Sequence, residues 1–505
     1  MIAGVVSTRW RLIVVLLAFA ATVMAHRGTA QGSPYIALDD PRLPMLELLI
    51  ARGDVQDPSP QVRPLLQRSV VAALHAAAAR DSTSSSARRV RELLHAWELP
   101  ASEAWWRVAP RGGVQAYTQG RRDLSAPGGV GKLQAYVDVA FTMGLGAVTV
   151  NLRPAYEPRL RDDPDYRPYG SVNELNHFRL VAAYATAEWQ WGGVHLGQMS
   201  RNWGPVGMPG IPISDYGYPR TDLSFWLGNR TIRLEALVAP LSDGVTDSGT
   251  VVTRLFATHR LQVRVRDNLD LAVWESSVSQ RSGGAPDPTI LNPFILMTFG
   301  RQFGIGDRRN VMLGGDATWR PVHQLRLEVQ GAIDDWTFDP ANPYPNRFGL
   351  GVVASGALAG ELAWRASYAM NSSLAYHTAN VNENFTDAGV GIGRNFIDND
   401  QFSLSVSVPV RDHWLVTPQL DLRRQGQGQI NDPFPDASTA ARLPTLFIGT
   451  RRDTWQATVG VSGEERGVAV TGQAGIQHVR NSGATAFVGR VQATIGFRLG
   501  GVLSH

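Results

Sequence analysis

Three stretches of the 505-residue chain set aromatic rings beside carboxylates, amides and arginine. Residues 201–220 carry Trp203, Tyr216, Tyr218 and Arg220; residues 334–346 carry Asp334, Asp335, Trp336, Asn342, Tyr344 and Asn346; residues 157–174 carry Asp162, Asp163, Tyr166 and Tyr169. A ring offers a flat apolar face and the polar groups offer directional hydrogen bonds. The mixture suits a ligand that shows both C–H faces and hydroxyls, as sugars do. Each stretch also has a plainer use. Aromatic residues near strand ends form interfacial girdles in membrane barrels, and Trp203-Gly204-Pro205 can fold a loop inward to plug a lumen. Asp334-Asp335 reads first as a solvated or arginine-paired site, with Arg201 the obvious partner, and only then as a proton-transferring or calcium-binding pair.

Motifs for covalent or hydrolytic chemistry are absent. The sequence has no Gly-x-Ser-x-Gly elbow, no His-Glu-x-x-His and no Gly-x-x-x-x-Gly-Lys-Ser/Thr phosphate loop, and its eleven histidines are scattered. No catalytic residue, metal or cofactor is expected, and an enzyme is the weakest of the function classes. Without cysteine the chain can form neither disulfides nor thiolate metal sites, nor carry a lipoprotein anchor. A net charge of +4, dispersed, gives no case for nucleic acid. Lys132 is the one lysine; arginine supplies the other cations and is the better partner for carboxylates.

The elements that must position these residues are strands. From Lys132 to Thr142, Leu133, Ala135, Val137, Val139 and Phe141 fall on one face, while Lys132, Gln134, Asp138 and Thr142 fall on the other. The same period of two runs through Arg260–Arg266, 325–333 and 487–499. Strands of about ten residues in such number suit an all-β transmembrane barrel of about 18 antiparallel strands. The strands expected include 132–142, 231–240, 251–266, 269–279, 325–333 and 485–498. Val390–Phe396 is a possible further strand, left in a loop because the parity of connections then works. Turns of a few residues, as at Asn229-Arg230, Asp267-Asn268 and Arg411-Asp412, alternate with long connections at 157–174, 201–220, 280–309, 371–400 and 425–452. Loops 201–220 and 280–309 are expected to close the lumen, and Arg264, Arg326, Glu328 and Asp421 to form ion pairs within it.

Arg9, Arg11 and the apolar Leu12–Val23 followed by small residues make residues 1–30 a signal peptide. Residues 31–101 read as a small helical domain or plug edge at the periplasmic rim, with helices near 42–52, 62–79 and 86–98 and a dimer-forming helix as the alternative. Residues 102–499 form the barrel and 500–505 a tail.

Within this frame Arg201, Trp203, Gly204 and Pro205 match an Arg-x-Trp-Gly-Pro stretch, and Glu328, Asp334 and Asp335 match a strand that runs from Glu into an Asp-Asp pair. Asn292-Pro293-Phe294 adds an Asn-Pro loop. In these features the chain resembles the Wzi-type capsule-assembly family over most of 35–499, while 393–400 matches that family poorly. The resemblance implies an outer-membrane lectin with a periplasmic helical bundle that holds capsular polysaccharide or exopolysaccharide at the cell surface. Outer-membrane lipid is then a partner, and export machinery a further one. The alternative is a porin or substrate-selective channel, which needs an open lumen where a lectin needs one occluded by loops.

Overall fold

The computed structural model describes residues 32–166, 177–246, 248–282, 287, 290, 292–299 and 308–503. Residues 1–30, expected to be a signal peptide, and Tyr169 lie outside the described residues.

Eighteen antiparallel strands close into one barrel. In chain order they are β1 (Ala104–Tyr117), β2 (Lys132–Leu145), β3 (Val148–Tyr156), β4 (Phe178–Trp189), β5 (Gly192–Met199), β6 (Arg220–Gly228), β7 (Ile232–Val245), β8 (Val251–Arg266) and β9 (Leu269–Ser282). The second half comprises β10 (Arg308–Val322), β11 (Leu325–Asp335), β12 (Arg347–Ala357), β13 (Ala363–Asn371), β14 (Asn399–Val410), β15 (Trp414–Gln425), β16 (Arg452–Glu465), β17 (Val468–Val479) and β18 (Ala484–Gly496). Closure is made by β1, which pairs with β2 along its length and with β18 on its other edge. Leu499–Val502 continues that edge opposite Trp105–Val108, so residues 500–502 belong to the wall and not to a tail. Val390–Gly391 pairs only with Thr386–Asp387, in a small ribbon separate from the wall.

Lipid on one face explains the alternation. On β2, Leu133 is 70% exposed and Val137 46%, whereas Tyr136 and Asp138 between and beyond them are buried at 2% and 1%. A band of such outward apolar residues needs hydrocarbon, and a closed sheet leaves no unpaired edge within it. Val137→Arg is accordingly expected to destabilise the barrel by about 2–4 kcal/mol if Val137 lies near the bilayer midplane, and the inward Gln134→Arg by much less. Unfolding of both variants in lipid vesicles measures this, and equal costs would contradict the assignment of faces.

One rim has tight connections throughout, such as 146–147, 267–268 and 466–467. The other carries the long segments 157–177, 200–219, 283–307, 336–346, 372–398 and 426–451. Three helices cap the tight rim: α1 (Leu43–Arg52), α2 (Gln67–Arg80) and α3 (Ser85–Trp97). Helix α1 stops at Gly53, whose φ of 89° suits glycine and whose N–H donates to Ile50 O. Ser84 caps α3 by accepting from the Ala87 N–H. Leu46, Leu49, Val70, Leu74, Leu93 and Trp97 form their shared core, which reaches Ala363 and Leu415 at the rim ends of β13 and β15. The second helix begins at 67 rather than 62. Pro64 has no N–H and holds its predecessor extended, and Val62–Arg63 is taken into a pairing of its own.

Candidate functional site

That pairing is the centre of the molecule. Val62↔Trp203 and Arg63↔Asn202 form a two-stranded ribbon joining the segment between α1 and α2 to the 200–219 loop. The first partner comes from the tight rim and the second from the loop rim, so the ribbon sits across the lumen. The barrel wall grips it at Gln330 of β11. The Gln330 amide donates to Trp203 O at 3.0 Å and its carbonyl accepts from Ile211 N at 2.9 Å. Gln61 donates to Ala317 O at 2.8 Å, and Arg260 to Pro60 O at 3.3 Å.

Around the ribbon lies an apolar core inside the barrel. Trp203, Ile211 and Ile213 pack with the inward Phe256, Trp274 and Met312, and with Tyr376, Phe385, Ile392 and Ile397 of the 372–398 loop. Tyr376 OH donates to Ile211 O at 3.1 Å, and Ser214 Oγ to Gly393 O at 2.6 Å. Asp398 accepts from Phe447 N at 2.6 Å and Gly428 N at 3.0 Å, fastening the 426–451 loop to the same core. The 393–400 segment, the poorest match to the resembled family, is therefore a structural part of the plug.

Trp203 is 3% exposed, so it fills the plug and is no platform for a ligand. The 280–309 loop does not close the lumen in its described part. Met297 N and Thr298 N donate to Glu275, whose side chain points outward from β9, and Ile290 and Met297 pack on Ala257. Residues 292–299, with the Asn292-Pro293-Phe294 motif, thus lie against the outside of the wall. The plug comes from the 200–219 and 372–398 loops and the N-terminal segment.

Ion pairs fill the rest of this half. Arg326 donates to Glu328 at 2.9 Å and to Asp57 at 2.7 Å, and Arg260 bridges Asp316 and Glu235. Arg264 pairs with Asp270. Asp421 accepts from Gln419 and Ser403, and among the described residues no arginine pairs with it. Arg201 is bound bidentately by Asp222 at 2.7 Å and is not the partner of Asp334 or Asp335. The acidic pair is split by the strand period: half-buried Asp334 accepts from Tyr376 N at 2.9 Å, while Asp335 turns out to Arg347.

The remaining candidates form two groups. In the first, Tyr218 OH donates to Asp163, Arg122 stacks 4.5 Å from the Tyr218 ring, and Tyr166 meets that ring edge-on at 4.7 Å. Tyr216 OH donates to Asp165 at 2.9 Å, and Arg220 pairs with Asp387 at 3.0 Å. Asp162 takes Lys132 at 2.9 Å. Buried Arg159 donates to Glu157 at 2.8 Å and to Asp163 at 2.9 Å. Burial alone would raise the Glu157 carboxyl, but Arg179 and Arg159 hold it down at about 2. Burial raises the Tyr218 hydroxyl above its ordinary range, so it acts as a donor.

The second group is on the loop surface. Tyr344 stacks on Phe434 at 5.2 Å with the Arg347 guanidinium 5.5 Å from the Phe434 ring. Trp336, 44% exposed, meets Phe338 at 6.2 Å and Phe348 at 5.7 Å. Asn342 and Asn346 shape this loop by accepting from Tyr344 N and Thr337 N. Phe338, Arg347, Phe434 and Gln330 were not singled out from the sequence. The first two lie in or beside the 334–346 stretch, but nothing local marks Phe434 or Gln330.

Beside the plug, a cavity of about 1390 Å³ remains in the lumen. It runs from Arg466 and Arg498 at the tight rim to Arg122, Leu124 and Asp215 under the loops.

A solved outer-membrane barrel shares this fold. The chain folds as Wzi does. That protein is an outer-membrane protein of Escherichia coli involved in group 1 capsule assembly and described as a carbohydrate-binding β-barrel; the TM-score is 0.63 at 15% identity, over 94% of this chain and 100% of Wzi. OccAB4 of Acinetobacter baumannii (TM-score 0.44, 9% identity, 79% of this chain and 99% of that one) and OprD of Pseudomonas aeruginosa (0.43, 9%, 80% and 97%) also match. The sequence matches no family model and no curated relative. The fold is that of a bacterial outer-membrane β-barrel.

Proposed function

We propose that this barrel binds capsular polysaccharide or exopolysaccharide and holds it at the cell surface, as a Wzi-like lectin and not an enzyme. The observation that carries the reading is the plug: an apolar core inside the lumen, cross-linked to the wall at Gln330 and joined to the N-terminal segment at Trp203. A pore for passive diffusion needs water where these side chains are packed. The Wzi likeness supports the same reading, since that protein is a carbohydrate-binding barrel. Short turns face the periplasm in barrels of this class, which puts α1 to α3 on that side and the Tyr344 and Trp336 aromatics outside.

The surface aromatics are the ligand platform. Tyr344→Ala and Phe434→Ala, separately and together, are expected to reduce retention of surface polysaccharide on cells while leaving the barrel assembled, because alanine removes stacking area that is not part of the core. Retention is read from cell-bound against released polysaccharide, and assembly from heat-modifiable mobility on gels. Unchanged retention in the double variant would overturn this assignment of the platform.

A further inference from the structure

The two sides of the lumen cavity differ in chemistry. Twelve arginines and six carboxylates line it, and six of the arginines lie on β1, β3 and β4 or on the connections that follow β1 and β3. The wall from β14 to β18 carries Glu464, Arg466 and Arg490 and, between them, uncharged donors and acceptors such as Thr417, Gln419, Gln473 and Gln492. Many of the arginines are satisfied. Arg153 binds Asp39 at 2.7 Å and Asp138 at 2.7 Å, and Arg111 binds Asp138 at 2.8 Å.

Arg490 and Arg365 are different, for among the described residues neither guanidinium has an ion pair or a hydrogen bond. Arg490 faces Glu157, but that carboxylate is held by Arg159 and Arg179, while Arg159 and Arg122 add like charge. Asp215 completes this end of the cavity without an ion pair among the described residues. Arg365 faces Glu47 and Glu328, which are taken by Arg63 and Arg326. It lies against the tip of the 200–219 loop at Gly207 (φ 86°), where a Cβ would stand 2.4 Å from its nitrogen. Both side chains are half-buried on the cavity, and the Arg365 Nε is buried without a hydrogen bond, so an anion entering the cavity meets guanidinium groups with no competing partner among the described residues.

We propose that the lumen cavity is a binding site for an anionic saccharide segment, its carboxylate or phosphate groups held by Arg490 and Arg365 and its hydroxyls by the amide and hydroxyl wall. The inference rests on the polysaccharide reading for the class of ligand. It adds that the ligand is acidic and that part of it is held within the barrel, between the N-terminal segment and the loops.

The test is equilibrium binding to the purified full chain in detergent, with a hexamer of α-1,4-linked D-galacturonate as probe and maltohexaose and inorganic phosphate as controls. The hexagalacturonate is expected to bind, more weakly as salt rises, and Arg490→Gln or Arg365→Gln to lower its affinity by about tenfold, the size of one charge-assisted hydrogen bond. Since neither substitution breaks an ion pair, both variants are expected to keep heat-modifiable mobility. Maltohexaose binding as tightly as the acidic hexamer would overturn the proposal, as would phosphate binding equally well, which would mean a small-ion site. Full affinity in both variants would also overturn it. Such failures leave the surface reading standing, because that reading is judged by polysaccharide retention in the Tyr344 and Phe434 variants.

Discussion

Trp203→Ala is expected to lower stability by about 3–5 kcal/mol, the usual cost of emptying a buried tryptophan site. The indole is enclosed by Val62 from the N-terminal segment, Ile211 and Ile213 from its own loop and the inward wall residues. A girdle tryptophan facing lipid, such as Trp319 at 45% exposure, has no such enclosure, and Trp319→Ala is expected to cost far less. Denaturant unfolding in vesicles gives both values. Hydrogen exchange at Trp203 N, which donates to Ile213 O at 3.0 Å, reports whether the loss is local to the plug. A cost for Trp203→Ala no larger than that for Trp319→Ala would mean that the loop is not packed in the lumen.

The second large effect is at Asp57, which carries charge from the N-terminal segment to the wall. It accepts from Arg63 at 3.1 Å and from Arg326 at 2.7 Å. Removing one member of a buried ion-pair group leaves charge uncompensated, so Asp57→Asn is expected to cost about 3–5 kcal/mol. Burial works to raise the Asp57 carboxyl, and Arg63 and Arg326 outweigh it, holding the carboxyl well below its usual range. A depressed carboxylate contributes stability that is fully present above its unfolded value of about 3.9 and drains away as pH falls from there through the depressed value. The gap between wild type and Asp57→Asn should therefore be constant from pH 8 to about 5 and narrow below about 4. A gap that widens in acid would contradict the pairing.

The wall was legible in the sequence because lipid imposes the same demand on each strand. Leu133, Val137 and Val139 announce a face without reference to any other part of the chain, and the alternation of tight and long connections fixes which rim each end occupies. The extra ribbon at Val390–Gly391 was set aside on that parity, and it lies outside the wall. Loop chemistry was much less legible. Trp203 and Tyr344 are aromatic residues of similar sequence context, yet one is core and the other surface, because Trp203 meets Gln330 and Val62, which are distant in sequence. Arginine partners are equally non-local. Arg201 could not be assigned to Asp222 over Asp335 by spacing, and Glu275 gives no sign that it would draw residues 297–298 to the outside of the wall. Bulk alone suggested that the 280–309 loop would close the barrel, while the loop whose 393–400 segment matched poorly supplies Tyr376, Phe385 and Ile392 to the plug.

If these loops and the N-terminal segment close the lumen, single-protein conductance in a planar bilayer reads that closure. The intact chain is expected to show little or no steady current, and a variant lacking residues 205–212, the part of the 200–219 loop gripped by Gln330, to show discrete open levels. Large, steady conductance from the intact chain, unchanged by that deletion, would contradict the account and favour a channel.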